Sequence, residues 1–430
     1  MNTLQMEKFH MRYFAKHWYK TTACLTTIFT AFPLFAQPIE NIPTSHYELE
    51  KIIIFSRHGL RSPLTEKGSD LEKSTPYKWA NWSVPTGHLT HKGTLLETYF
   101  GQYLGQWLTH NGLLDKASCE SGKQIEVYAN SLQRTIGTAQ ALVAGGFSGC
   151  NVQVKHHQQI GKMDPVFNPI IRSDDQTFVQ TALSKIDLNK THQYLAPSYH
   201  LLSEIIDYAH SEKCLQEKQC EFFNDVGKLR IKKDKEPGVS GTMRLSKNIV
   251  DALLLQYYEG LPLKEIANNQ LDSDQKWQTL NKIKNDYQFM LRGDPFIAKH
   301  ISLPLLKYIQ QDLNSENKIT LLVGHDSNII ALLSALNVKP YKLAHQYEQT
   351  PIGGKVFIEI WKEKSSQAQK VKLEYVYQST DQIRKAIPLS LDKPPQHHIL
   401  SLDYCQADQY GLCDYMEFKQ LLEKVIADTL

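Results

Sequence analysis

At 430 residues, 41% hydrophobic and 22% charged, the chain is long enough for two domains and too apolar for wholesale disorder. Its formal charge of +3 is the difference between 48 basic and 45 acidic residues. That balance gives no reason to expect a nucleic-acid partner.

Residues 1–36 read as a secretory leader. Lys8, Arg12, Lys16 and Lys20 make a basic start, Leu25 to Phe35 is mostly apolar, and Ala36 would precede the cut. The apolar run is too short for a membrane span, so no stable membrane association is expected once the leader is removed. Removal takes four basic residues and one acid and leaves 44 of each, so the positive surplus belongs to the leader. Seven cysteines become six with the loss of Cys24, and an even count in an exported chain suggests disulfides. Six cysteines allow fifteen pairings. Neighbours in sequence would be Cys119 with Cys150, Cys214 with Cys220, and Cys405 with Cys413. The periplasm is the compartment that fits.

Ile52 to Phe55 reads as a fully buried strand, stopped by Ser56-Arg57-His58-Gly59-Leu60-Arg61-Ser62-Pro63. Thr65 to Trp82 is polar and turn-rich and looks like a loop over the site. From Thr90, the residues Leu95, Leu96, Tyr99, Phe100, Tyr103, Leu104 and Trp107 recur at helical spacing and predict an amphipathic helix whose aromatics fill the core. Ile125 to Tyr128 is a short strand, followed by Arg134 in the turn that begins a helix over Thr135 to Val143. A strand-to-helix junction presents free amides that favour anions. From Val154 to His300 strand-like runs are few, and Phe178 to Leu188, Leu201 to Glu212, Ile249 to Tyr258 and Asp274 to Leu291 look helical. Lys228 to Lys235 is a basic, polar interruption that reads as a mobile loop. The strand pattern returns at Ile319 to Val323, then Gly324-His325-Asp326 and a helix over Asn328 to Leu336. The two polar stretches at Arg57 and His325 can meet only if their strands lie close in one sheet. Lys355 to Trp361 and Val371 to Tyr377 are further strands.

Arg57 and Arg61 carry planar, permanently charged forks suited to phosphate. A histidine between them has its neutral form favoured by like-charge repulsion, and only neutral imidazole has a lone pair for attack. The residues therefore suggest nucleophilic phosphoryl transfer without a metal. A chance occurrence of the Arg-His-Gly-x-Arg-x-Pro pattern is expected in on the order of one in ten thousand chains this long. Other phosphate chemistries lack their motifs: Gly353-Gly354-Lys355 precedes a strand, the wrong context for a nucleotide-binding loop. His156-His157 and His397-His398 lack metal-ligand spacing, so neither metal nor cofactor is expected.

This signature, with Gly324-His325-Asp326-Ser327-Asn328, resembles the histidine acid phosphatase family. The resemblance extends through Asn130-Ser131-Leu132-Gln133-Arg134-Thr135, Met163 to Pro169, Glu236 to Gly241 and Thr350 to Lys355, and is strongest to its bacterial glucose-1-phosphatase branch, with phytases related. It implies a phosphoglycerate-mutase-like α/β sheet domain, residues 45–153 and 301–430, with an inserted α-rich domain over 154–300. It implies His58 as nucleophile and Asp326 as proton donor to the departing alcohol. Arg57, Arg61, Arg134 and His325 would hold the phosphoryl oxygens, and Glu236 would control which substrate is admitted. Ser327 and six cysteines resemble the glucose-1-phosphatases, whereas Gly59 resembles the phytases. The expected substrate is a small phosphate ester, glucose 1-phosphate first and phytate second. A catalytically silent phosphate-ester binding protein is the rival outside enzymes.

Overall fold

The computed structural model describes residues 42–429 apart from 65–67, 116–118, 120–121 and 218–219. The expected leader lies outside the described residues. Among the described residues there are ten strands: β1 Tyr47–Arg57, β2 Ile125–Ala129, β3 Val154–Lys155, β4 Leu229–Arg230, β5 Gly238–Val239, β6 Ile319–Gly324, β7 Lys355–Glu363, β8 Gln369–Tyr377, β9 Gln396–Ile399 and β10 Cys413–Asp414. Eight of them form one sheet in the order β10-β8-β7-β1-β6-β2-β3, with β9 also paired to β8. The four strands β1, β6, β2 and β3 run parallel, and β7 turns the sheet antiparallel on the other side of β1.

The run Ile52 to Phe55 is fully buried because the sheet is covered on both faces, as a parallel strand requires. Side chains alternate across a strand. Accordingly Ile53 and Phe55 pack with Leu305, Leu306, Ile329, Leu332 and Phe418 on one face. Ile52 and Ile54 pack with Phe100, Leu104, Ile136 and Leu142 on the other. The second face is covered by the helices His91–His110 and Gln133–Gly146, the first by Pro295–Leu313, Asp326–Ala335 and Tyr415–Ala427.

Most of the chain between β3 and β6 is helical. The helices Ala196–Ile205, Thr242–Glu259 and Asp274–Arg292 share a second core through Tyr199, Leu202, Ile249, Leu253, Trp277, Leu280 and Ile283. The helix Pro295–Leu313 runs through the boundary expected at 300/301, so the chain does not break there.

The stretch Lys228 to Lys235 is not a free loop. Leu229 and Arg230 pair with Val239 and Gly238, and Ile171 exchanges backbone hydrogen bonds with Asp234 and Lys235. Pairing partners distant in sequence tie down a segment whose own composition reads as loop. Disulfides join Cys119 to Cys150, Cys214 to Cys220 and Cys405 to Cys413.

Candidate active site

Three parallel strands end level with one another. In the ladder Arg57 lies opposite Gly324, and Ala129 opposite Val323. The next residue of each strand is therefore His58, His325 or Asn130, all at the carboxyl edge of the sheet, where open α/β sheets bind ligands. Two backbone bonds fix this edge, His58 N to Gly324 O at 3.0 Å and Asn130 N to Val323 O at 2.9 Å.

The imidazoles of His58 and His325 stand edge to face with centroids 5.5 Å apart. His58 Nδ1 is 2.9 Å from the Gly59 carbonyl. A carbonyl only accepts, so Nδ1 holds the proton and Nε2 keeps its lone pair. Burial, followed by the charges of Arg134, Arg61 and Arg57, lowers the His58 pKa well below the ordinary histidine value, so the ring is neutral. His325 Nε2 receives a 2.6 Å hydrogen bond from Asn130 Nδ2. The amide of Asn130 is oriented by its Oδ1, which accepts from the backbone N–H groups of Ser131 and Asp164, each at 2.9 Å. Burial and Arg134 lower the pKa of His325 as well.

The cations around these rings are held from behind. Arg57, 1% exposed, donates through Nη1 to Glu348 at 2.7 Å and to the Thr350 carbonyl. Arg61 donates through Nη2 to Asp251 at 3.0 Å and through Nη1 to the Ser62 carbonyl at 2.9 Å. Lys284 bridges the two carboxylates, 2.7 Å from Asp251 and 2.6 Å from Glu348. Arg134, second residue of its helix, has no carboxylate partner among the described residues. Burial and Arg61 push its pKa down to about 10. The Nε atoms of Arg57, Arg61 and Arg134 are all buried without a hydrogen-bond partner among the described residues. An orphaned buried donor costs about 1–3 kcal/mol, and three on guanidinium groups around one histidine mark a place for an anion.

Asp326 opens the helix Asp326–Ala335, whose N-cap is His325. The helix therefore starts two residues before the expected Asn328. Asp326 Oδ2 accepts from Gln288 Nε2 at 3.0 Å and lies 3.7 Å from Arg57 Nη2. Burial raises its pKa, but Arg57, Lys284 and Lys247 together lower it more, so its carboxyl ionises well below the usual range. Glu236 lies farther out: its Oε2 is 2.6 Å from Arg292 Nη2, Arg292 donates to Gln288 at 2.8 Å, and Gln288 reaches Asp326.

Beneath the site Lys355, fully buried, pairs with Glu97 at 2.9 Å and lies 3.7 Å from the Phe100 ring centroid. Its role is structural. Gly353 beside it has φ +66°, and a Cβ there would fall 2.3 Å from Glu97 Oε1, so only glycine fits.

The structure thus brings together His58, His325, Arg57, Arg61, Arg134 and Asp326, with Glu236 linked through two side chains. Sequence reasoning missed Asn130, Asp251, Lys284, Gln288, Arg292, Glu348 and Lys247. Asn130 stood inside the quoted Asn-Ser-Leu-Gln-Arg-Thr stretch and Glu348 two residues before Thr350. Asp251, Lys284, Gln288 and Arg292 sit on helices, where nothing distinguishes them from a solvated face.

The chain is 41% identical over 380 residues to the glucose-1-phosphatase of Salmonella typhimurium, covering 87% of this chain and 92% of that protein. It is 42% identical over 384 residues to the glucose-1-phosphatase of Providencia rettgeri, covering 88% and 92%. Its fold matches the apo phytase of Hafnia alvei with a TM-score of 0.82 at 27% identity, over 90% of this chain and 99% of that one. With the match to the histidine phosphatase superfamily (branch 2) spanning residues 48–377, the chain belongs to that branch of the superfamily.

Proposed function

We propose that this protein hydrolyses phosphate monoesters in two steps and prefers glucose 1-phosphate. The observation that carries the reading is a neutral, oriented His58 with a free Nε2, ringed by three guanidinium groups with unspent buried donors. In the first step His58 Nε2 attacks phosphorus, the bond from phosphorus to the alcohol oxygen breaks, and that oxygen takes a proton from Asp326. In the second, water attacks the phosphohistidine and gives its proton to Asp326, releasing inorganic phosphate and neutral His58. Arg57, Arg61, Arg134 and the Nδ1–H of His325 hold the phosphoryl oxygens as charge spreads over them. Asn130 fixes the His325 ring for that task. The site chemistry uses no cofactor.

Asp326 is ionised in the free protein, so its proton arrives with the substrate. A phosphate monoester loses its second proton near about pH 6. Below that pH the bound monoanion can hand its proton to Asp326, because the dianion then occupies the cations that had favoured the carboxylate.

Charge also bears on the substrate. Arg57, Arg61, Arg134, Lys247 and Lys284 gather around Asp251, Asp326 and Glu348, five cations against three carboxylates. So small a surplus suits a single phosphate monoester rather than the many charges of phytate. The glucose-1-phosphatase relatives point the same way, while the phytase fold match supports phytate as the second reading. Glu236, held by Arg292 at the outer end of the hydrogen-bond chain, is suited to limiting what reaches Asp326. Three disulfides fit an oxidising compartment and, with the leader expected from the sequence, support the periplasm.

The test is phosphate release from glucose 1-phosphate and from phytate side by side at acidic pH, with His58→Ala as control. Preference for the sugar ester, abolished in the variant, is expected. Preference for phytate would keep the mechanism and overturn the substrate. Wild-type rates in His58→Ala would overturn the nucleophile.

A further inference from the structure

Two cations of the cluster have no carboxylate or hydrogen-bond partner among the described residues, Arg134 and Lys247. Arg134 belongs to the phosphoryl cage. Lys247 has so far entered only through its charge and has been given no contact with the substrate, although it is only partly exposed and acidic residues stand near it.

Its position is set by two helices. On Thr242–Glu259 it precedes Asp251 by four residues and so shares its face, one turn farther out. Its Nζ lies 5.8 Å from the ring centroid of Tyr287, on the facing helix Asp274–Arg292. Tyr287 is flanked there by Lys284, which reaches Asp251, and Gln288, which reaches Asp326. Lys247 therefore stands over the cleft between these helices, on the Asp326 side. The charges acting on it agree: Asp251 and Asp326 first, then Arg61 and Lys284. At His58, by contrast, the dominant charges are Arg134, Arg61 and Arg57.

In phosphoryl transfer the attacking and leaving atoms lie roughly in line through phosphorus. With His58 on one side, the far side, beside Asp326, is where the alcohol departs. We infer that Lys247 recognises the leaving alcohol, its ammonium donating hydrogen bonds to the hydroxyl or ring oxygens of a sugar phosphate beyond the scissile bond. The inference rests on the phosphatase reading above. An ammonium with three donors whose neighbour is the Tyr287 ring face gives up no hydrogen bond when it turns to such oxygens. A leaving group without hydroxyls offers it nothing comparable.

The experiment compares kcat/KM for glucose 1-phosphate and for p-nitrophenyl phosphate in wild type, Lys247→Met and Lys247→Arg. Loss of a charged hydrogen bond predicts that the ratio of the two values falls roughly tenfold or more in Lys247→Met and is partly restored in Lys247→Arg. Lys247→Gln replaces the Met variant should that one fail to fold. An unchanged ratio, whether both substrates are unaffected or both lose equally, overturns the inference; an equal loss would assign the ammonium to the phosphoryl cage. Wild type inactive on both esters would instead sink the phosphatase reading, so the two failures are distinguishable.

Discussion

At the scale of single residues, the site depends on keeping bases neutral and acids charged among close cations. His58 and His325 are depressed by burial and the arginines, whereas Arg57, Lys284 and Lys247 hold Asp326 ionised. If Asp326 is the proton donor and is loaded by the substrate, kcat/KM for glucose 1-phosphate should fall as pH rises past about 6, the second ionisation of the ester. A profile flat to pH 8 would show that the proton has another source. Asp326→Asn should lower kcat/KM by about 10²–10⁴-fold for glucose 1-phosphate, whose alkoxide leaves poorly without a proton. The loss should be smaller for p-nitrophenyl phosphate, whose phenolate leaves unaided. Equal losses on both would reduce Asp326 to electrostatics. The residues proposed to carry this chemistry were legible because Arg57, His58, Arg61, His325 and Asp326 sit in two short motifs next to strands. Their supports were not: Asp251, Lys284 and Glu348 acquire meaning only when three distant segments fold against Arg57 and Arg61.

At the scale of elements, periodicity did most of the work. The β-branched run in β1 was readable because it is buried throughout, and the stripe of His91–His110 because Leu96, Phe100, Tyr103 and Leu104 are buried with Tyr99 and Trp107 partly so, although Leu95 of the same stripe is exposed. The two-residue strands β3, β4 and β5 were not, since a pair of residues has no period and only the partner makes it a strand. Helix–helix contact was also hidden. The helix His91–His110 crosses Gln133–Gly146, the helix bearing Arg134, at a distance set by glycines. A Cβ on Gly101 would fall 2.4 Å from the Leu142 carbonyl oxygen, and one on Gly105 2.4 Å from that of Gly146. Backbone cannot yield as a flexible side chain can, so Gly101→Ala should force the helices apart at a cost of about 1–3 kcal/mol. Thermal melts of the variant should show a lower Tm. An unchanged Tm would mean that the helices slide past one another without loss of packing.

At the scale of the whole molecule, the pH dependence of stability depends on charges far from the site. Inside the sheet Glu359 of β7 faces Lys372 of β8 across the ladder, and Lys372 lies 3.1 Å from Glu374. Glu374 also binds His397 Nδ1 at 2.9 Å, and His397 Nε2 meets the Tyr103 hydroxyl at 2.8 Å. One lysine cannot neutralise two carboxylates. Glu374, with both Lys372 and His397, overcomes the effect of burial and is lowered, whereas burial and then Glu374 outweigh Lys372 at Glu359 and raise it. Glu359 keeps one bond, from Trp361 Nε1 at 2.8 Å, and its Oε1 is buried without a partner. A carboxyl raised on folding binds its proton more tightly in the native state. Its contribution is therefore fully present below its unfolded pKa, near about 4.3, and is lost as pH rises towards the folded value. Glu359→Gln keeps the shape and the acceptor for Trp361 but cannot ionise. Relative to wild type, its Tm should rise between pH 4 and pH 8, because only wild type loses this stability, and the comparison cancels the titrating groups outside the Glu359–Lys372–Glu374 cluster. A difference in Tm that is the same at both pH values would mean that Glu359 is ionised throughout and that Lys372 is shared between the two carboxylates. The expected direction suits a protein whose proposed chemistry is fastest where its substrate still carries a proton: the acid range would favour both turnover and the folded state.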